Sequence, residues 1–109
     1  MLDRNKIKKK VPVEDFVVLI RKYSPKDIED SGHAFKRLSQ RQREIFTIEE
    51  IAKLLLKERP FLVGIQENEN YAVFFKHKGK NLRIILRLEF QKVKIVTFYY
   101  ILEWQIPKI

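Results

Sequence analysis

One short basic stretch, Ser31 to Arg43, holds the residues of this 109-residue chain whose types and spacing could do chemistry together. It carries four Lys/Arg and no acidic residue. In a helix, His33, Arg37 and Arg41 share one face, because they are spaced at i, i+4 and i+8. A histidine transfers protons near neutral pH, and arginines bind phosphate oxygens through paired N–H donors. The same face could equally be an ordinary solvated surface on which a histidine happens to lie.

This combination of side chains suits metal-independent RNA cleavage. One group helps to remove the proton of the ribose 2′-hydroxyl, another protonates the leaving 5′ oxygen, and fixed cations stabilise the phosphate. A second histidine, His77, lies beside Lys78-Gly79-Lys80, and we interpret it as a solvated turn residue. In the pair Tyr99-Tyr100, one ring faces the core, and the other could stack on a base or transfer a proton, unless both only pack.

The composition excludes several classes of protein. There is no cysteine, which rules out disulfides, thiolate metal ligands and a cysteine nucleophile. With only two histidines, no structural zinc site is expected, and no cofactor is predicted. No apolar run approaches the roughly 20 residues that cross a bilayer. The charged first ten residues do not resemble a signal peptide. We therefore expect a cytoplasmic protein without a membrane partner.

The formal net charge of +9 is unevenly distributed along the chain. Residues 1–10 carry five Lys/Arg against one Asp, residues 11–60 carry ten against nine acidic residues, and residues 61–109 carry eight against four. The surplus therefore lies at the start of the chain and in its C-terminal half. It indicates a polyanion partner, because clustered Lys/Arg release counterions from phosphates on binding. Plain solubility is the alternative explanation.

The sequence of the N-terminal half predicts a flexible basic segment followed by three helices. Residues 1–11 are expected to be a flexible basic arm, and residues 12–109 a single α+β domain. The spacing of Val13, Phe16, Val17 and Ile20 predicts a helix from Val13 to Tyr23, although a strand also fits. A second helix is predicted from Asp30 or Ser31 to about Ile45. A third begins at the capping box Thr47-Ile48-Glu49-Glu50 and ends at Pro60.

After Pro60 the apolar period changes to two, which predicts strands at about 61–66, 70–77, 81–89 and 92–101. Their links are short, so neighbouring strands form antiparallel hairpins. In the third strand, Leu82 and Ile84 face one way, and Arg83 and Arg87 face the other. The predicted fold class is α+β, with N-terminal helices packed on a four-stranded antiparallel β-meander.

The motif Ser-x-His-Ala-x-x-Arg-Leu-x-x-Arg, followed by a helix, strands and Ile-Val-Thr-Phe-Tyr, resembles the DUF4258 family over roughly residues 31–101. That family is placed with the RelE, barnase, EndoU and colicin E5/D-like ribonuclease toxins. The resemblance implies a RelE/barnase-like fold and a ribonuclease activity. The chain departs from the family pattern by continuing past Tyr99 through Trp104 and Ile106.

The resemblance also implies residue roles. His33 and Arg37 match the helical His and Arg of the family, and Thr97 and Tyr99 match its closing strand. The expected catalytic residues are His33, Arg37 and Tyr99. Arg41 matches the second, less strict Arg of the family, and Lys76, Arg83 and Arg87 are cations expected on the open sheet face by analogy of position. With Arg43 and Thr97 added, the expected nucleic-acid-binding residues are Arg41, Arg43, Lys76, Arg83, Arg87 and Thr97.

Three functions remain open at this level. The first is an RNA-binding, metal-independent endoribonuclease of toxin type that a partner antitoxin protein neutralises. The second is a non-catalytic nucleic-acid-binding protein that uses the same cations. The third is a protein-interaction module whose aromatic C-terminal tail, with Tyr100 and Trp104, anchors an interface such as a homodimer.

Overall fold

The computed structural model of the chain describes residues 6–31 and 47–109. Its main element is a six-stranded mixed sheet. The strands are β1 (Ile7–Lys10), β2 (Ile28–Asp30), β3 (Leu62–Gln66), β4 (Tyr71–His77), β5 (Lys80–Glu89) and β6 (Lys92–Ile101). Their order across the sheet is β1-β3-β4-β5-β6-β2. β2 is parallel to β6, and all other neighbours are antiparallel.

Two short helices accompany the sheet among the described residues: α1 (Val13–Ile20) and α2 (Ile48–Lys57). In α1, Phe16, Val17 and Ile20 are buried, as their helical spacing predicts. At the start of α2 the Thr47 hydroxyl accepts a hydrogen bond from the Glu50 backbone N–H at 3.2 Å. Both helices bury their apolar side on the same face of the sheet, which we call the helix face.

The opposite face of the sheet, which we call the tail face, has a smaller core of its own. Its buried residues are Ile7, Leu62, Ala72, Phe74, Ile85 and Ile101. After β6 the chain makes a 3-10 turn over Glu103–Gln105, and Ile106 then packs against this core. Ile109 Cδ1 lies only 3.4 Å from the position that a Cβ on Gly64 would take. The C-terminal residues therefore cover part of the tail face.

The predicted fold class is wrong, although its four meander strands and α2 are confirmed. The sheet has six strands and is mixed, and the described residues contain two short helices, not helices covering a four-stranded antiparallel meander of the RelE/barnase type. Two segments cause the difference. Ile7–Lys10 pairs with β3, and Ile28–Asp30 pairs with β6, so each adds an edge strand.

Both edge strands lie where the sequence predicts something else. Ile7–Lys10 belongs to the predicted flexible arm, but the Ile7 side chain is buried in the tail-face core, which ties the segment to the sheet. Asp30, a predicted helix cap, ends β2, and the Ser31 backbone N–H donates to the Ile95 carbonyl at 3.0 Å. The rest of the helix predicted up to Ile45 lies outside the described residues.

A bulge in β6 decides which way its side chains face. The pairing register shifts by one residue between Leu86–Ile95 and Ile85–Thr97, which leaves Val96 as the extra residue. Beyond the bulge, Tyr100 lies opposite Leu82 on the helix face, and Tyr99 lies opposite Arg83 on the tail face.

Candidate nucleic-acid interface

The predicted sheet cations are placed on the expected face, but Arg83 is not open to solvent. Its side chain is only 7% exposed, and its guanidinium lies over the Phe74 ring, 5.2 Å from the centroid. Tyr99, on the neighbouring strand, is 37% exposed and lies directly opposite Arg83. The structure thus brings one predicted catalytic residue next to one predicted phosphate binder, and of these two residues only the tyrosine is accessible to solvent.

The other predicted sheet residues take part in local contacts. Lys76 Nζ donates to Asn81 Oδ1 at 2.5 Å and lies 3.7 Å from Glu103 Oε2. Arg87 Nε lies 3.3 Å from Glu89 Oε1. Thr97 is half-buried opposite Ile85. Because neighbouring carboxylates neutralise Lys76 and Arg87, this face is a weaker phosphate-binding surface than its sequence suggests.

The remaining predicted site residues, His33, Arg37, Arg41 and Arg43, lie outside the described residues. The roles assigned to these four residues therefore stay predictions.

A different group of chemically active side chains meets at the end of the β4–β5 hairpin. We call His77, Lys78, Lys80 and Tyr100 the hairpin site. His77 Nδ1 and the Tyr100 hydroxyl oxygen are 2.8 Å apart, and the two rings stack with centroids 6.1 Å apart. Lys80 Nζ lies over the Tyr100 ring at 5.1 Å from its centroid. The site therefore joins residues from two hairpins of the meander.

The turn itself positions Lys78 unusually. Lys78 and Gly79 are the two central residues between the paired His77 and Lys80, and both have positive φ, 53° and 76°. Positive φ at both positions matches a type I′ turn, which favours Asn or Gly at the first of them. A lysine there carries backbone strain, and such strain often accompanies a functional role.

The electrostatic environment keeps the aromatic pair neutral. Burial lowers the pKa of His77 below its usual 6.5, the Lys78 ammonium lowers it further, and the Glu50 carboxylate on α2 opposes this. Burial and Glu50 raise the pKa of Tyr100 above 10.0. Near neutral pH we infer that the tyrosine hydroxyl donates to Nδ1 of a neutral imidazole.

A cleft of ≈ 370 Å³ adjoins the hairpin site, lined by Gly79, Lys80, Asn81 and by Tyr100 to Glu103. Two large apolar side chains near its rim are open to solvent: Leu102 is 61% exposed, and Trp104 is 78% exposed. Lysines beside accessible rings are the combination with which proteins bind phosphates and unstacked bases.

Within residues 6–31 and 47–109, no three His, Cys, Asp or Glu residues are grouped in a way that could hold a metal ion. Within the same residues, no helix is long and apolar enough to span a membrane.

Sequence reasoning underestimated His77, which we interpreted as a solvated turn residue. A signal was present in β6, where the apolar positions change from Val93 and Ile95 to Phe98 and Tyr100. This change of parity indicates a bulge, and it turns Tyr100 to the same face as His77.

The fold and the site define a small, strongly basic mixed-sheet protein with a lysine-rich hairpin end. A family model, that of the MJ0788 family, matches residues 14–86. Because this match spans more than half of the chain, the chain belongs to the MJ0788 family. No curated protein and no solved structure matches the chain. The family match does not bear on the resemblance to DUF4258, which stays a prediction.

Proposed function

We propose that this protein binds nucleic acid, most favourably single-stranded RNA, through the hairpin site and its adjoining cleft. The observation that carries the proposal is the turn at Lys78-Gly79, which holds a lysine at positive φ beside Lys80 and the His77–Tyr100 pair.

The charges at this end of the sheet favour a phosphate ligand. Lys78 and Lys80 are both exposed at the turn. Lys76, one strand position away, is held by Glu103. Two exposed ammonium groups on one tight turn repel each other, and a phosphate between them relieves that repulsion and releases counterions.

The apolar groups explain why a single strand fits better than a duplex. The Tyr100 ring is in contact with both His77 and Lys80, so this ring shapes the site. Trp104 directly follows Glu103, which lines the cleft, and is 78% exposed, so its ring can stack on a base. Only unpaired bases offer a free π-face for such stacking.

The test compares two double variants that each remove two positive charges. Lys78→Gln/Lys80→Gln removes the hairpin charges, and Lys53→Gln/Lys57→Gln removes two exposed charges of α2. Fluorescence anisotropy with a labelled RNA of about 16 nucleotides should show roughly tenfold weaker binding for the hairpin variant near physiological salt. The α2 variant should bind like wild type. Equal affinity of the two variants would contradict the proposal. A single-stranded DNA of the same sequence tests the preference for RNA.

Metal-independent RNA cleavage is a second candidate function. It rests on the sequence motif with His33 and Arg37, and the position of Tyr99 opposite Arg83 supports it. Purified protein incubated with RNA and EDTA should cleave it, and His33→Ala and Tyr99→Phe should cleave more slowly. If the RNA stays intact after incubation with wild type, the cleavage proposal is contradicted and only the binding proposal stands. Under this second proposal, the protein acts in the cytosol, and a partner antitoxin protein neutralises it.

A further inference from the structure

A second cleft lies at the opposite end of β5 from the hairpin site. Its volume is ≈ 680 Å³, within the range of about 300 to 1,000 Å³ that is typical of ligand sites. We call it the far cleft and define it by Lys22, Tyr23, Lys26, Asp27, Phe90 and Lys92. Because β5 has 10 residues, the two ends of the strand are roughly 30 Å apart.

The far cleft is positively charged. Three lysines line it, and Asp27 is its one acidic residue. That carboxylate accepts hydrogen bonds from the Ser24 backbone N–H at 2.8 Å and from the Ser24 hydroxyl at 3.0 Å, so it caps the local 3-10 turn. Lys92 lies 3.8 Å from Glu29 Oε1, a separation like that of Lys76 from Glu103, so we assign the excess charge of the cleft to Lys22 and Lys26. The excess of ammonium groups therefore faces an open cleft and favours an anionic ligand.

An exposed aromatic ring lies at the rim of the same cleft. Phe90 is 89% exposed at the turn between β5 and β6, where packing requires no ring. The next residue, Gln91, has a φ of 61°, so the turn is tight and holds the ring away from the sheet. On the opposite side, the Tyr23 hydroxyl donates to the Glu89 carbonyl at 3.2 Å, which fixes one wall of the cleft.

We propose that the far cleft binds a nucleotide unit of single-stranded nucleic acid, with its phosphate at Lys22 and Lys26 and its base stacked on Phe90. This inference rests on the proposed nucleic-acid binding and extends it to a second contact on the same strand. Two contacts joined by one strand raise the affinity beyond either contact alone, because the second binding event is intramolecular.

The experiment separates the two ends of the protein. Anisotropy with the same RNA of about 16 nucleotides is measured for Phe90→Leu, Phe90→Trp and Lys22→Gln/Lys26→Gln, with Lys53→Gln/Lys57→Gln as the charge-matched control. Phe90→Leu keeps an apolar side chain but removes the π-face, so it should weaken binding by roughly fivefold or more. Phe90→Trp should bind at least as well as wild type. The lysine variant should reduce the salt dependence, and the α2 control should not. All five substituted positions are exposed, and melting curves verify that each variant is folded.

The outcomes are distinguishable. If the hairpin variant binds RNA more weakly and the far-cleft variants bind like wild type, the nucleotide site in the far cleft is overturned while the proposed function stands. If only the far-cleft variants weaken binding, the far cleft is supported and the hairpin assignment fails. Wild type that binds no RNA overturns both. A poly-glutamate peptide can also be tested as a competitor. If it displaces the labelled RNA at a lower concentration of negative charge than unlabelled RNA does, the ligand is an acidic protein segment and the nucleotide assignment is overturned.

Discussion

Replacing Lys78 by glycine should stabilise the protein and weaken its binding of RNA. The prediction follows from the φ of 53° at Lys78, a backbone conformation that a residue with a Cβ adopts at a cost and that glycine adopts freely. A binding role for the ammonium group would account for a lysine at this position, because stability alone favours Gly or Asn there.

The expected gain in stability is modest. Relief of the left-handed strain contributes about 1 to 2 kcal/mol, and the greater freedom of glycine in the unfolded chain offsets up to about 1 kcal/mol of it. We expect a net gain of roughly 0.5 to 1 kcal/mol, which raises the melting temperature of a domain of this size by about 2 to 6 °C.

The same substitution should also change the pH dependence of stability. Burial and Lys78 lower the pKa of His77, so the folded state favours the neutral ring. The contribution of His77 to the free energy of unfolding is therefore fully present above pH 6.5 and is lost as the pH falls through the lower folded-state pKa. Without Lys78 the pKa of His77 should move up towards 6.5, and the loss of stability in acid should become smaller.

Melting curves at several pH values, an NMR titration of His77 and RNA anisotropy measure these effects. For stability and for the pKa of His77, Gln91→Gly is the matched control, because Gln91 also has positive φ, at 61°, and lies in the turn between β5 and β6. It should stabilise the protein without changing the pKa of His77. A Lys78→Gly variant that is less stable than wild type, or that is more stable and binds RNA equally well, would refute the reasoning.

Three further substitutions test the packing around the site and the sheet. Tyr100→Phe removes the hydroxyl bonded to His77, and we expect a loss of about 0.5 to 1 kcal/mol in urea unfolding; no change would mean that the 2.8 Å contact contributes nothing. Gly64→Ala places a Cβ 2.5 Å from Ile7 Cγ2, so β1 must shift, and a loss of about 1 to 3 kcal/mol is expected. Combining it with Ile7→Ala should give less than the sum of the two losses, whereas additive losses would argue against the contact. Ile106→Ala should lower stability by about 1 to 2 kcal/mol if the C-terminal residues cover the tail face, and an unchanged unfolding midpoint would show that they do not.

The elements that local patterns determine were predicted well from the sequence. The capping residue Thr47 and the apolar stripe of α2 act within a few residues of each other, and the strands of the meander are joined by tight turns. The edge strands were missed because they are short and their partners are distant in the chain. Ile7 pairs with Gln66, and Ile28 pairs with Val93, and no short-range pattern indicates either pairing.

The candidate site was predicted less well than the strands, for two physical reasons. The alternation of apolar and charged residues along β5 places Arg83 on the correct face of the sheet. It does not show that neighbouring strands and the Phe74 ring bury the Arg83 side chain. The His77–Tyr100 contact depends on the bulge at Val96, which shifts the register by one residue and brings Tyr100 onto the helix face. A one-residue shift moves every later side chain to the other face of a sheet.

The central claim is that exposed lysines at the hairpin site bind nucleic-acid phosphates, and the salt dependence of RNA binding tests it most directly. For single strands each phosphate contact contributes about −0.7 to the slope of log K against log salt, so Lys78 and Lys80 together should contribute about −1.4. Between about 50 and 200 mM salt, these two contacts alone should weaken the binding of wild type to RNA roughly sevenfold. The Lys78→Gln/Lys80→Gln variant should have a slope that is shallower by about 1.4. A wild-type affinity that does not change with salt, or an equal slope in the variant, would contradict the account.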